Sequence, residues 1–255
     1  MKTASNILFL FFLFLFAGCM STTSKSDSVH IRVSSQALSD YRFFNGFIGY
    51  DDPVIQTDIT TAFSNGLELG IWHSAGLNDD DLSSDFGDEI DYTMGWSGKI
   101  KETNVSGGIS YFDIFELGTR KKGDGAADVI RPYVAASQSF ELSESQKLGP
   151  TAKLEGRMRA YGDANLGLTL YLGAQHGWTI NPQLSFNQKL RLVDDTGSIG
   201  FEKILLGRYD AGFVYDLGKT VSWNVFSVTA TTPITSPKNG QKSGATLGTG
   251  LIFRF

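Results

Sequence analysis

Residues Ala245-Thr246-Leu247-Gly248-Thr249-Gly250-Leu251-Ile252-Phe253-Arg254-Phe255 close the chain with a regular alternation of side chains. Successive side chains of a β-strand point to opposite faces, so a period of two separates this stretch into two sets. The sets are Ala245, Leu247, Thr249, Leu251, Phe253 and Phe255 against Thr246, Gly248, Gly250, Ile252 and Arg254. A strand of about ten residues, apolar on one face and polar on the other, suits a wall with lipid outside and water inside. The alternative is the closing strand of a soluble β-sandwich.

The end of this strand carries a second signal. Phe255 is the last residue, and apolar residues occupy the third and fifth positions from the end, Phe253 and Leu251. This arrangement resembles the signal by which bacterial outer-membrane barrels are recognised for insertion. The resemblance implies a bacterial outer membrane location, with membrane lipid and lipopolysaccharide around the protein. It also implies the barrel-assembly machinery as a partner of the C-terminal strand.

The beginning of the chain predicts export. Lys2 supplies a positive charge and residues 7–16 form a continuous apolar run. A run of about ten residues fits the ~7–15 of a signal-peptide core and is shorter than the ~20 that a membrane-spanning helix needs. Ala17, Gly18 and Cys19 are small and supply a cleavage site. We therefore expect residues 1–19 to be a signal peptide.

Cys19 is the single cysteine, which excludes an intrachain disulfide and a cysteine-rich metal cluster. It stands where the acylated cysteine of a lipoprotein would stand, although Phe16 occupies a position where such signals usually have Leu, Val or Ile. Lipidation of Cys19 and ordinary cleavage beside it both remain open. Residues 20–28 are mostly polar and predict a tether or a loose mature N-terminus.

Composition limits the classes of function. The formal net charge is −5, which argues against nucleic-acid binding, because phosphate contacts need clustered Lys and Arg. No long apolar run follows residue 16, so no transmembrane helix is expected. A hydrophobic content of 41% is what alternating membrane strands produce, because each apolar residue is followed by a polar one.

Alternating segments separated by turn-forming clusters recur along the remaining chain. They predict one domain, residues 29–255, folded as an all-β, transmembrane antiparallel β-barrel of about 12 strands, within a range of 10–14. Closure into a barrel also removes the exposed edges that so many strands would otherwise have. The twelve segments are roughly 29–43, 54–64, 67–75, 89–98, 103–113, 128–140, 151–161, 166–178, 183–193, 201–216, 221–232 and 244–255.

Loop lengths test this prediction independently, since every second connection should be short when both termini lie in the periplasm. Asn65-Gly66 is a strong two-residue hairpin signal, whereas residues 76–88, 115–127 and 233–243 form long connections. The connection at 141–150 is too long for the scheme and that at 162–165 is too short.

Several motifs in the first half of the chain resemble those of the TorF-like porin family, small outer-membrane barrels of Gram-negative bacteria. The likeness covers residues 33–113. It differs after Phe43, where Phe44-Asn45 stand in place of a second arginine. The resemblance implies a barrel of the porin type and names no substrate. The matching residues are Ser39-Asp40-Tyr41-Arg42-Phe43 followed by Gly46, Asp52-Pro53 leading to Gln56, Gly70-Ile71-Trp72-His73-Ser74, and Glu89-Ile90-Asp91-Tyr92.

The candidate catalytic and metal-binding residues do not form a site in the predicted topology. A lipid-hydrolysing barrel needs a Ser activated by a His, but His30, His73 and His176 fall at separate places, and the last two lie on the lipid-facing parity. The acidic run from Asn78 to Asp88 lacks the spacing of a calcium loop and is interpreted as a solvated loop. We therefore expect no enzyme activity, no cofactor and no metal ion.

Charged residues on the polar parity are the strongest functional signal. The early strands contribute acidic residues and the later strands basic ones, and the third strand of a twelve-stranded ring lies opposite the ninth. The acidic wall comprises Asp58, Glu68, Glu89 and Asp91, and the basic wall comprises Arg157, Arg159, Lys189, Arg191, Arg208 and Arg254. Such a field selects polar or charged solutes over apolar ones. Alternatively, the charges pair and plug the interior, with Glu155 and Asp210 neutralising part of the basic wall.

The sequence therefore predicts an outer-membrane channel for passive diffusion of small polar or charged solutes. Two other classes stay open, an outer-membrane barrel enzyme that acts on lipids and a non-conducting structural or adhesion barrel. Solute flux through the reconstituted protein separates the first class from the other two.

Overall fold

The structure is a computed structural model, and it describes residues 28–43, 48–77, 88–115, 128–160, 166–197, 203–235 and 243–255. The predicted signal peptide with Cys19, most of the acidic run at 78–88 and the tips of several connections lie outside these residues. No helix long and apolar enough to cross a membrane occurs in the described part of the chain.

The described residues form twelve long strands and three short ones. The long strands are β1 (Val29–Leu38), β4 (Val54–Phe63), β5 (Leu67–Gly76), β6 (Asp88–Ile100), β7 (Thr103–Phe115), β8 (Val129–Ser137), β10 (Gln146–Arg159), β11 (Gly167–Thr179), β12 (Leu184–Asp195), β13 (Ile204–Asp216), β14 (Val221–Pro233) and β15 (Gly244–Arg254). The short strands are β2 (Tyr41–Arg42), β3 (Ile48–Tyr50) and β9 (Phe140–Ser143).

The twelve long strands close into one antiparallel barrel. Each pairs with the next long strand along the chain, and β15 pairs with β1, with Ile252 opposite Ser34. Every strand of the ring therefore has two hydrogen-bonded neighbours and no free edge. The predicted all-β class, the antiparallel barrel and the count of twelve strands are confirmed.

Two differences from the predicted segments involve the short strands. The connection at 141–150 is not a loop, because β9 pairs with the first residues of β10, which begins at Gln146 rather than at 151. The first predicted segment covers residues 29–43, but its barrel strand ends at Leu38. Ser39 and Asp40 form a bend, after which β2 and β3 make a separate two-stranded hairpin. The sequence signal for both differences is weak, because these segments alternate poorly.

Side-chain alternation divides the barrel into an outer face and a lumen. Leu154 pairs with Leu170, and Leu172 pairs with Leu192 across the β11–β12 ladder. All four side chains are exposed on the outer face. Their sequence neighbours point inward, which confirms the alternation predicted for these segments. The tryptophans at strand ends, Trp178 and Trp223, also lie exposed on the outer face.

The two ends of the barrel differ in their connections. The turn end carries the beginning of β1, the C-terminal end of β15 and the short connections 64–66, 101–102, 180–183 and 217–220. The loop end carries the connections 39–53, 77–87, 116–128, 160–166, 196–203 and 234–243. A buried apolar cluster of Tyr171, Val193, Ile204 and Leu206 lies inside the barrel toward the loop end.

Candidate functional site in the barrel lumen

The four acidic residues of the predicted wall share the lumen parity of β4, β5 and β6. Asp58 and Asp91 both lie opposite Trp72 in the ladders of β5, and Glu89 lies opposite Ser74. Glu68 occupies the turn end of β5. Asp58 approaches Arg32 of β1 at 3.5 Å, in a position that remains partly exposed. The acidic residues therefore occupy one side of the ring at different heights.

The six basic residues of the predicted wall also occupy lumen parity. Their strands are β10, β12, β13 and β15, and β12 is the ninth strand of the ring where β5 is the third. Arg191 lies opposite Arg208, and Lys189 lies opposite Asp210, across the β12–β13 ladder. Arg254 stands apart at the turn end, 4.0 Å from Asp216. Arg159, at the loop end of β10, is exposed.

The most deeply buried ion pair joins two strands of the basic side. The guanidinium Nη2 of Arg157 donates to Oδ1 of Asp195, and the two side chains are 2% and 0% exposed. Asp195 Oδ1 also accepts the backbone N–H of Gly197 at 2.9 Å. A buried charge is tolerated when it is paired and hydrogen-bonded, so this contact holds the loop ends of β10 and β12 together.

Glu155 is the centre of a second ion cluster. Its Oε1 accepts from Nε of Arg131 at 2.7 Å, and its Oε2 lies 2.6 Å from Nζ of Lys153. The Arg131 guanidinium also stacks 4.2 Å from the centroid of the Phe112 ring. Arg131 is not among the residues predicted from the sequence, because its segment alternates poorly. The period of two at Val129, Arg131 and Tyr133 was the available signal.

Asp210 is the centre of a third cluster. It accepts from Nη2 of Arg191, from Nε of Arg208 at 3.1 Å and from Oγ1 of Thr229 at 2.8 Å. Glu155 and Asp210 each pair with two cations, so the proposed partial neutralisation of the basic wall is present in the geometry.

The hairpin of β2 and β3 folds into the lumen at the loop end. The hydroxyl of Tyr41 donates to Oε2 of Glu89 at 2.7 Å, and its ring lies 5.7 Å from the centroid of Trp72 and 4.9 Å from that of Phe43. Burial, followed by the neighbouring Glu89 charge, raises the pKa of Tyr41 well above its ordinary value. The phenol therefore stays protonated and remains a hydrogen-bond donor.

Further contacts fix this hairpin to the barrel wall. Asp40 accepts a hydrogen bond from the hydroxyl of Thr246 on β15, and Nε of Arg42 lies 3.3 Å from Asp40. Tyr50 packs against Gly76 so closely that an added Cβ would lie 2.7 Å from the ring. The motif at 39–43 that resembles the porin family thus forms an inward constriction, a role the sequence did not reveal.

The lumen also contains open space. One cavity of about 650 Å³ is lined by Gln36, Gln56, Asn187, Thr229 and others, and a second of about 450 Å³ is lined by Asn104, Ser106, Ser137 and Thr151 among others. Gln175 and Lys189 line both cavities. Most residues that line these cavities have polar or charged side chains, so the space suits polar rather than apolar molecules.

The three histidines occupy separate places, as the topology predicted. His30 pairs with Ala62 at the turn end, and His73 pairs with Thr57 on the outer face. His176 also lies on the outer face, where its ring nitrogens contact Gln146 at 3.3 Å and Gln188 at 3.2 Å. No hydrogen bond between a serine and a histidine side chain is found among the described residues.

A closed twelve-stranded antiparallel barrel with an aliphatic outer face and a polar lumen has the architecture of outer-membrane β-barrels. Among solved structures, the chain is similar to the KdgM porin, with a TM-score of 0.54 and 10% identity over 89% of this chain and 99% of that one. It is also similar to the NanC porin, with a TM-score of 0.51 and 12% identity over the same shares.

At this level of identity the similarity concerns the fold. No protein-family model matches the chain, and no curated protein matches its sequence. The architecture is therefore porin-like, while the resemblance to the TorF-like porins stays a prediction.

Proposed function

We propose that this protein is an outer-membrane channel for passive diffusion of small polar or charged solutes. The observation that carries the proposal is the pair of polar cavities of about 650 and 450 Å³ that share Gln175 and Lys189. Hydrated solutes can exchange their water for the amides and hydroxyls of such a lining, whereas apolar solutes gain nothing there.

Charge distribution adds a preference to this proposal. Among the described lumen-facing residues of β8 and β10–β13, eight are cationic and four are carboxylates. The opposite strands β1 and β4–β7 carry four lumen-facing carboxylates and two cations in the described part. Walls of low dielectric strengthen each charge, so the two sides produce a field across the lumen that orients dipolar solutes.

The proposal extends to the surroundings of the barrel. Exposed aliphatic side chains on the outer face support lipid and lipopolysaccharide contact, and the outward-facing Phe255 supports recognition of β15 by the barrel-assembly machinery. The motif at 39–43 supports membership of the TorF-like porins. We propose no catalytic role, no cofactor and no nucleic-acid partner, with Cys19 as a candidate lipidation site.

A second function, a non-conducting structural or adhesion barrel, is favoured by one observation. The β2–β3 hairpin and the buried ion pairs fill the loop-end part of the lumen. Solute flux separates the two functions, because only a channel lets liposomes swell.

The first experiment measures swelling of liposomes that contain the refolded protein in solutions of sugars, amino acids and organic acids. We expect small polar solutes to enter at rates that fall with size. Liposomes that carry the protein but swell no faster than empty ones would reject the channel.

A second measurement tests the charged walls. Replacing Asp58 with Asn and Glu68 with Gln should shift the planar-bilayer reversal potential toward anions, because the acidic side then attracts fewer cations. The shift should shrink in concentrated salt, since the Debye length falls to about 3 Å at 1 M. An unchanged reversal potential at low salt would contradict the transverse field.

A further inference from the structure

Five cationic side chains face the lumen close to one another, and three of them line the smaller cavity. They come from four different strands and share two carboxylates, Glu155 and Asp210. Each carboxylate already contacts two cations within 4.0 Å. The cations are Arg131, Lys153, Lys189, Arg191 and Arg208. This cluster therefore carries more positive charge than its own carboxylates balance.

Lys189 is the cation of this cluster that forms an ion pair with neither Glu155 nor Asp210. Among the residues that the structure describes, none forms a hydrogen bond or an ion pair with the amino group of Lys189. Its electrostatic interactions are with Arg191, Asp210, Lys153 and Arg208, so three of its four charged neighbours repel it. Repulsion among like charges weakens when an anion binds between them, and the low-dielectric wall makes that gain larger than in water.

The cavity geometry gives an anion access to the same groups. Lys189 and Gln175 line both cavities, and Lys153 and Arg191 line the smaller one. The ring of Tyr171 lies 5.7 Å from Nζ of Lys153 and 5.8 Å from the guanidinium carbon of Arg191. Its buried ring thus lies within cation–π distance of both cations and contributes to holding them in place.

We propose that Lys153, Lys189, Arg191 and the amide of Gln175 bind a small organic anion with two or more negative charges, such as a di- or tricarboxylate. This binding site lies on the permeation path of the proposed channel, so the inference rests on the proposed function. A volume of about 450 Å³ accommodates such a molecule. Ammonium and guanidinium groups form charge-assisted hydrogen bonds with carboxylates, and Gln175 adds a neutral donor.

Isothermal titration calorimetry of the refolded barrel in detergent micelles tests the site without requiring conduction. Citrate is the probe, and an uncharged sugar alcohol is the matched neutral solute. We expect citrate to bind, the sugar alcohol to give no heat of binding, and affinity to fall as salt is added. No citrate binding by the folded parent at low salt would overturn the proposal.

Three variants give the residue-level test. Lys189→Gln should weaken citrate binding roughly tenfold or more, because it removes a charge-assisted hydrogen bond. Asp210→Asn should strengthen binding, since it removes the anion that competes for Arg191 and Arg208. Lys219→Gln, at an exposed turn outside the cluster, removes the same charge and should leave the affinity unchanged.

The opposite directions expected for the Lys189 and Asp210 variants distinguish a binding site from general damage to the fold. Equal affinities of parent and Lys189→Gln, or weaker binding by Asp210→Asn, would overturn the site. Citrate binding by a barrel that conducts no ions would reject the channel and keep the site. Ion conduction by a barrel that binds no citrate would reject the site and keep the channel.

Discussion

The loop-end and turn-end parts of the lumen are built on the same alternating strands, yet they differ in what fills them. Toward the loop end, Glu89, Arg157 and Asp195 are nearly inaccessible, and Glu89 accepts a hydrogen bond from Tyr41 of the β2–β3 hairpin. Toward the turn end, Arg254 and Asp216 form an ion pair at 4.0 Å with side chains 47% and 51% exposed. Alternation places polar side chains inward in both parts, and contacts with other elements bury them in only one.

Because of this difference, we expect an ion pair to contribute different amounts to the free energy of unfolding at the two ends of the barrel. An exposed ion pair contributes little, because water and salt screen it and the side chains lose freedom when they pair. Removing one partner of a buried pair leaves an uncompensated charge in a low-dielectric surrounding. Matched substitutions at the two ends of the barrel should therefore change its stability by different amounts.

The largest effect is expected for Asp195→Asn. The substitution keeps the side-chain size and leaves the buried Arg157 guanidinium without its carboxylate, which should lower the free energy of unfolding by about 3–5 kcal/mol. Asp216→Asn is the matched control and should cost no more than about 1 kcal/mol. Urea unfolding from lipid vesicles, followed by tryptophan fluorescence, measures both. Equal losses would show that the two parts of the lumen are equally hydrated.

A smaller effect is expected where the hairpin contacts the wall. Tyr41→Phe removes the 2.7 Å hydrogen bond to Glu89 and should cost about 1–3 kcal/mol, because a buried acceptor loses this donor. Tyr215→Phe removes an exposed 3.0 Å bond to Gln183 at the turn end and should be almost neutral. The same unfolding assay compares them, and a neutral Tyr41→Phe would indicate that the hairpin does not close the lumen.

A comparable or smaller effect is expected from one added methyl group on β5. Gly76→Ala would bring a Cβ within 2.7 Å of the Tyr50 ring and should cost about 1–3 kcal/mol through overpacking. Gly70→Ala, on the same face of the same strand, meets its nearest atom at 3.6 Å and should change stability by less than about 0.5 kcal/mol. If both variants unfold alike, Tyr50 does not occupy the position that closes this end.

The strands were accessible to sequence reasoning where the alternation is regular. Leu168, Leu170 and Leu172 alternate with small or polar residues, and β11 has the predicted bounds within one residue. The segment at 29–43 alternates poorly beyond Leu38, and there the structure has a bend and the β2–β3 hairpin. The hairpin depends on contacts with Glu89 and Thr246, which lie 48 and 206 residues away along the chain. A local pattern carries no information about such contacts.

For the charged residues of the lumen, too, a local pattern predicts some features and not others. Period-two parity was enough to point Asp58, Glu89, Lys189 and Arg191 inward, because the face of a strand residue follows from its position alone. Parity does not report which cation meets which carboxylate. That choice depends on the register between strands, which brings Arg191 to Asp210.

A local alternation repeated along the chain was therefore enough to predict the barrel and its closed ring of strands. Which part of the lumen is filled and which stays open depends instead on contacts between residues of different strands. The same interstrand geometry also left Lys189 without a carboxylate of its own. Filling and pairing both require residues distant in sequence to meet at a few ångströms, and the closure of the ring fixes those distances.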